Sequence, residues 1–544
     1  MAPRWHLRGA PSTASPETGS GGGGGGGDSS FDAALVAVGA LAAIASVGLV
    51  LTWRERQSTR SDYEHSKELY IPSRSGHGSG SDAGDRAKIP RTNSTADLVA
   101  PTLPAHPEGP NIGPGSENNW FQKERDLPPK TDLLHKGHSK GGKLLVVMVG
   151  MPGTGKTYIS RKVARYLRWI NYRTRAFSLA RYRNARCGTG LKCEFYDTKD
   201  AESSATRREV LSAALEDMIQ YLLRAGEVAI LDGSNFTKER RQLIRDRAAE
   251  EDGFEILWVE SICEDPKVLD RHILELKETS PDYIDAEDFG RRLDYYREAY
   301  ETVEMDEGSY VKSYDSGIRI EIHDAQGFVP TKITSFLMNL NVEGRPVFIS
   351  RHGESMFNTQ GLIGGNPPLS PNGEEYAHVL VDYVAQSEEL ATEELCLWSS
   401  TMRRARQTAA GIKRRRYVEW RALREIEVGV CDGMTYAQVK ASFPDEYAAR
   451  EKDKLRYRYP RGESYLDIIA RLEPVIFEME RQKAPLLIIA HQAVLRCLYA
   501  YFLDLPSEEI PYLSIPLHTV IKLTPQAFGC SEKRFKLLED THAA

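Results

Sequence analysis

The sequence predicts an α/β protein of two doubly wound domains, preceded by a leader that does not fold and one membrane-crossing helix. Three observations carry this. From residue 143 onward, short apolar runs alternate with amphipathic helical patterns, the order that builds parallel sheets. One such run, Leu144 to Val149, leads straight into a phosphate-loop spacing. A later one, Val347 to Ser350, ends in an Arg-His pair, a different phosphate-handling constellation, so two domains are expected instead of one.

In order, the expected segments are a Gly-rich leader (1–30), a membrane helix (31–53), a linker (54–140), a first domain (141–342), a second (343–530) and a tail (531–544). Gly21 to Gly27 and the surrounding Pro and Ser leave too little apolar surface to fold. Ala33 to Leu51 is 19 residues without a charge, just long enough to span a bilayer, with a buried helix or targeting element as the alternative. Arg54, Arg56 and Arg60 follow closely, which orients the C-terminal bulk toward the cytosol. The linker is rich in Ser, Gly, Pro and His and lacks hydrophobic periodicity.

The balance of 71 Lys+Arg against 77 Asp+Glu, a net charge of −6, excludes a global nucleic-acid footprint, so any anion site is local. Seven scattered cysteines with no C-x-x-C pair argue for a reducing compartment and against a disulfide framework or structural zinc. Strands are expected at Leu144–Val149, Val228–Leu231, Phe254–Val259, Val347–Ser350, Cys396–Trp398 and Leu486–Ile489.

Gly150, Gly155, Lys156 and Thr157 satisfy G-x-x-x-x-G-K-[ST], with Gly153 between them. Backbone N–H groups of such a loop wrap the phosphates of a nucleoside triphosphate, Lys156 reaches the β/γ-phosphates and Thr157 holds Mg²⁺. Val228 to Asp232 ends in a carboxylate placed to orient the metal's water shell or an attacking hydroxyl. Arg183, Arg207, Arg240, Lys277 and Arg292 have no obvious carboxylate partners nearby and suit a phosphorylated substrate, although each alone also fits a solvated helix face.

Gly150 to Ser160, Asp232-Gly-Ser-Asn235, Glu260 to Pro266 and Ser280-Pro-Asp-Tyr283 resemble the kinase half of the bifunctional 6-phosphofructo-2-kinase/fructose-2,6-bisphosphatase family. The resemblance implies a phosphate-loop NTPase-like kinase in which the 2-hydroxyl of fructose 6-phosphate attacks ATP. It implies that Arg183, Arg207, Ser234, Arg240, Arg292 and Tyr296 bind the sugar phosphate, that Lys277 lies between the substrates, and that Asp232 and Cys263 are active-site positions. Cys263 also reads as a small buried hydrophobe. Where the family usually has Pro-Ala-Arg-Gly, this loop reads Pro152-Gly-Thr-Gly155; Ser234 replaces a threonine and His272 an asparagine.

In the second domain, Arg351-His352 ends one strand, His491 follows another, and Arg404 sits at a strand–helix junction. A neutral imidazole can attack phosphorus while arginines neutralise its oxygens. This half resembles the histidine phosphatase superfamily, a phosphoglycerate-mutase-like fold, and Glu425 to Tyr436, Asp453 to Tyr465 and Pro516 to Val520 resemble its fructose-2,6-bisphosphatase branch. The resemblance implies His352 as nucleophile, Glu425 as acid and then base, and His491, Arg351, Asn358 and Arg404 around the transferring group. It assigns Gly364, Tyr436, Arg450, Lys454, Tyr465, Gln492 and Arg496 to the remaining sugar phosphate. Leu362 stands where an arginine is usual.

The expected protein is a membrane-tethered bifunctional enzyme acting on sugar phosphates, with ATP as substrate and Mg²⁺ as cofactor, no nucleic-acid partner, and a homodimer left open. A single-activity phosphatase and a non-catalytic sensor of ATP and sugar phosphates are the alternatives.

Overall fold

The computed structural model describes residues 142–539, apart from 267–268, 271–272, 275–276, 278–283, 342–344, 414–415 and 527–528. The expected leader, membrane helix and linker, together with His272 and the motif at 280–283, lie outside the described residues. Among the described residues no helix is long and apolar enough to cross a membrane.

The first domain is built on β1 (Lys143–Val149), β2 (Thr174–Ser178), β3 (Val228–Asp232), β4 (Phe254–Ile262), β5 (Tyr310–Tyr314) and β6 (Arg319–His323). They lie in the order β2-β3-β1-β4-β5-β6, parallel except for the β5/β6 pair. Strand order therefore reverses at β1, and the loop after β1 opens into the crevice where doubly wound sheets bind ligands. Helices α1 (Lys156–Trp169), α2 (Leu179–Cys187), α3 (Ala201–Arg224), α4 (Lys238–Ala249), α5 (Ala286–Ala299) and α6 (Phe328–Leu337) connect or flank these strands.

In the second domain β7 (Val347–Arg351), β8 (Cys396–Ser400), β9 (Arg416–Trp420), β10 (Leu486–Ala490), β11 (Thr519–Gln526) and β12 (Gly529–Lys536) form a sheet ordered β12-β11-β7-β10-β8-β9. Helices α7 (Pro371–Gln386), α8 (Arg403–Ala409), α9 (Tyr465–Arg481) and α10 (Gln492–Leu503) pack against it. Every residue of β10 is buried, as a run of Leu, Ile and Ala between two parallel neighbours requires.

Three expectations are corrected. The sheets are mixed, because β6 and the β11–β12 hairpin add antiparallel edges, which short connections permit and parallel pairing does not. Residues 531–536, expected as tail, form most of β12 and pair with β11. Strands β2, β5, β6, β9, β11 and β12 were not expected from the sequence, because they carry charged or hydroxyl side chains in place of an apolar run.

The two domains share one apolar cluster. Side chains of alternate residues in β1 and β3 meet α1 and α6, and the same cluster continues through α9 and α10 to β7 and β10. Tyr166 of α1 stacks on Phe336 of α6, ring centroids 4.6 Å apart, and Trp169 Nε1 donates to the Cys497 carbonyl at 2.9 Å. The helix that begins at the phosphate loop thus ends against the helix that begins beside His491.

Candidate active sites

The loop after β1 turns through left-handed backbone at Gly153 (φ 80°) and Gly155 (φ 84°), and Gly155 leads into α1. At Gly150 a Cβ would stand 2.4 Å from the Ser261 carbonyl, so no side chain fits there. Neighbouring strands hold the loop: Gly150 N donates to Ser234 O at 3.0 Å, Ser261 Oγ to Thr154 O at 2.5 Å, and Asn235 Nδ2 to Met148 O at 2.9 Å. Thr154, where the family's arginine is usual, is buried with its hydroxyl on Met151 O.

Lys156 is buried and its ammonium folds back to donate to Met151 O. Burial pulls its pKa down to about 8, against the opposing attraction of Asp232. Asp232, at the end of β3, accepts from Thr157 Oγ1 at 3.1 Å, and burial raises its carboxyl above the usual range. One hydroxyl and one carboxylate oxygen converging beside a phosphate loop suit Mg²⁺, which takes few protein ligands and completes its shell with phosphate and water. No cluster of three His, Cys, Asp or Glu able to hold a metal exists among the described residues.

Around this loop the expected cations gather only in part. Arg240 reaches Asn235 Oδ1 at 3.1 Å, and desolvation pulls its pKa to about 10, with Tyr296 opposing and Arg207 adding to the fall. Arg207 bonds to the carbonyls of Phe195 and Asp197 and to Ser204 Oγ. Tyr296 packs on Phe236, 4.5 Å between centroids, and faces Tyr196. Arg183 lies over Tyr196 at 5.5 Å, while Ser234 contributes its backbone to the loop.

Two members depart from expectation. Arg292 is buried and ion-paired to Asp288 at 3.1 Å, one helical turn away on α5, so it has the carboxylate partner it was expected to lack. Lys277 is exposed and makes no hydrogen bond with the described residues. Cys263 is half-buried, and desolvation with nearby Asp315 raises its thiol to about 11, which suits neither a thiolate nor a fully buried hydrophobe.

In the second domain, β7 and β10 are adjacent and in register, Arg351 opposite Ala490, so His352 and His491 leave the sheet side by side. Their rings are 4.9 Å apart. His352 Nδ1 lies 2.7 Å from Gly353 O and so carries the proton; its Nε2 lone pair accepts from Arg404 Nε at 3.0 Å. Burial, with Arg404 and Arg351 adding to it, holds the His352 pKa well below the usual histidine value, leaving the ring neutral. His491 is likewise depressed, by burial first and then Arg404, and its Nε2 lies 2.8 Å from Ser400 Oγ. Arg404 also donates to Gly365 O at 3.1 Å, and Arg351 to Ile515 O at 3.1 Å.

His352, Arg351 and Arg404 line a cleft of about 190 Å³ that opens to solvent. Glu425 lines it, one oxygen accepting from Ile426 N (3.0 Å) and Ala493 N (3.1 Å), the other unbonded among the described residues. Asn358 lines it too, although its carboxamide oxygen caps Ser355. The expected Gly364, Tyr436, Arg450, Lys454, Tyr465, Gln492 and Arg496 all line the same cleft, as does Leu362. Arg450 bridges Tyr436 (3.0 Å) and Tyr459 (2.8 Å), and Arg496 holds Tyr465 at 3.0 Å.

Sequence reasoning missed several supports. Tyr457 and Tyr459 line the cleft from a run that reads only as basic and aromatic. Ser400 orients His491, and Arg471 braces the backbone at Glu425 by donating to Arg424 O (2.8 Å) and Glu425 O (3.4 Å). No local motif marks a helical arginine that reaches back some 46 residues.

The fold and sites define a phosphate-loop phosphotransferase joined to a histidine phosphatase. A model described as 6-phosphofructo-2-kinase matches residues 132–344, and one described as the histidine phosphatase superfamily (branch 1) matches 347–537. A 6-phosphofructo-2-kinase/fructose-2,6-bisphosphatase of Gallus gallus is 45% identical over 396 residues, 71% of this chain and 83% of that one. That of Arabidopsis thaliana is 44% identical over 410 residues, 73% of this chain and 54%, about half, of the relative. A solved alpha-ribazole phosphatase from Shigella flexneri is 21% identical over 36% of this chain and all of its own, TM-score 0.32. The chain belongs to the bifunctional 6-phosphofructo-2-kinase/fructose-2,6-bisphosphatase family.

Proposed function

We propose that this chain makes fructose 2,6-bisphosphate from fructose 6-phosphate and ATP in its first domain and hydrolyses it back in its second. In the kinase site Lys156 and the loop N–H groups hold the β/γ-phosphates, and Thr157 with Asp232 would hold Mg²⁺, which would neutralise charge on the transferring group. Arg207, Arg240 and Tyr296 supply the grip on the sugar phosphate.

In the phosphatase site His352 Nε2 attacks phosphorus, forming an N–P bond as the 2-oxygen departs. Arg351, Arg404 and His491 stabilise the phosphoryl oxygens. The unbonded oxygen of Glu425 protonates the leaving hydroxyl and then takes a proton from the water that cleaves the phosphohistidine. The observation that carries this half is the neutral His352, its Nδ1–H spent on Gly353 O and its Nε2 directed at Arg404 in an open cleft. Incubation with fructose 2,6-bisphosphate labelled at the 2-phosphate should give an acid-labile label on His352; a label elsewhere, or none under quench conditions that preserve phosphohistidine, would overturn it.

The proposal extends to an anchor: residues 33–51 cross a membrane and hold the catalytic domains in the cytosol, supported by the uncharged run and the arginines after it. Carbonate-resistant membrane association, lost on deletion of 31–53, tests this. Pairing of two copies is supported by the edge strand β6, with Ile318 and Ile322 exposed beside or on it; the sedimented mass of the chain decides it.

A further inference from the structure

Where the domains meet, a small cavity lies between α1 on one side and α9 and the approach to β7 on the other, lined by Tyr158, Lys162, Arg345, Glu480, Phe502 and Pro525. Its charges do not balance. Glu480 accepts from Lys162 at 2.8 Å and Arg165 at 2.9 Å, and the Tyr501 hydroxyl donates to it at 2.5 Å. Arg345, the third cation, is 9% exposed, and its buried Nε has no hydrogen-bond partner among the described residues. Three buried cations therefore share one carboxylate.

A buried guanidinium nitrogen without a partner is costly, because its desolvation is not repaid by a hydrogen bond, and the one carboxylate nearby is already engaged by Lys162 and Arg165. Such a group calls for an unobserved water or ion. Water supplies hydrogen bonds but no charge. The cavity itself is only about 10 Å³, room for roughly one water-sized species, so a monatomic ion fits and a polyatomic oxyanion does not.

We propose that this cavity binds a monatomic anion such as chloride, held between the Arg345 guanidinium and the Lys162 ammonium, that staples the two domains together. The strain the anion relieves shows in Lys162 too, whose pKa burial draws down to about 8 despite Glu480, with Arg165 and Arg345 adding to the fall. Lys162 lies on the helix that starts at Lys156, and Arg345 two residues before the strand that leads to His352. Occupancy therefore bears on both catalytic domains without touching either site, and the inference does not depend on the reaction assigned to them.

The test uses the full chain carrying Arg404→Ala, which weakens the phosphatase cleft's own grip on anions. In an otherwise chloride- and phosphate-free buffer with a bulky organic counter-ion, adding chloride should raise the unfolding temperature with saturation. Arg345→Gln should abolish that rise, and Arg345→Lys should keep part of it. Bromide-soaked crystals should give an anomalous peak between Arg345 and Lys162. An equal thermal rise in Arg345→Gln, or a cavity holding only water in the bromide soak, overturns the proposal.

Discussion

His352 and His491 set the pH behaviour of the phosphatase half. Both are buried and neutral, with pKa values held well below the unfolded 6.5. As pH falls through 6.5 the unfolded chain takes up protons that the folded chain refuses, so stability is lost on acidification. The unfolding temperature should drop between pH 7 and 5, and His352→Gln should flatten part of that slope; an unchanged slope would show that the ring titrates normally in the fold. The same neutrality keeps His352, the proposed nucleophile, competent in mild acid. Lys156 is depressed in the same sense, in a higher pH window. Its pKa of about 8 reflects an apo loop, and phosphate oxygens would restore the charge. ATP binding at pH 8 should therefore take up roughly half a proton, read as calorimetric heats that vary with buffer ionisation enthalpy; no buffer dependence would mean that the ammonium is already fully charged.

Elements, more than single side chains, account for the geometry of the loop and the cleft. Gly150 sits at φ 138° against the Ser261 carbonyl of β4, so Gly150→Ala must push two adjacent strands apart. It should cost more than about 1 kcal/mol and weaken nucleotide binding, measured by chemical denaturation and nucleotide titration. Strands that read as apolar runs were legible because both their faces are buried, as in β1, β3 and β10. The edges were not: β6 and β12 alternate charge with half-buried positions, which a search for apolar runs passes over. Site residues at the ends of central strands, Asp232, His352 and His491, were legible for a related reason. A titratable residue that closes a buried apolar run stands at the carboxyl edge of the sheet, where α/β folds bind their ligands. Lys277 and Arg292 were not legible, since a helical cation can equally pair within its own helix, as Arg292 does with Asp288. The supports Ser400 and Arg471 act across distances in sequence that carry no pattern.

At the scale of the whole molecule, α1 joins the two activities mechanically. Its first residue is Lys156, and its far turns bury Lys162, Arg165 and Trp169 against α9 and α10. Glu480 is the carboxylate at the centre of that contact, and its cationic neighbours hold its pKa down at about 2 despite burial. Glu480→Gln leaves Lys162 and Arg165 buried without a counter-charge, a loss of about 3–5 kcal/mol. A single thermal transition should then split in two by scanning calorimetry as the domains uncouple, whereas an unsplit transition at the original temperature would show that the apolar contact alone suffices. The two chemistries nevertheless remain separable, because each reacting group belongs to one domain. The most direct measurement assays synthesis and hydrolysis of fructose 2,6-bisphosphate in one preparation of the chain beside Lys156→Ala and His352→Ala. Lys156→Ala should abolish synthesis and spare hydrolysis, and His352→Ala should cut hydrolysis by about a thousandfold or more while sparing synthesis. Synthesis that survives Lys156→Ala, or hydrolysis that survives His352→Ala, would contradict the assignment of two opposed active sites to this chain.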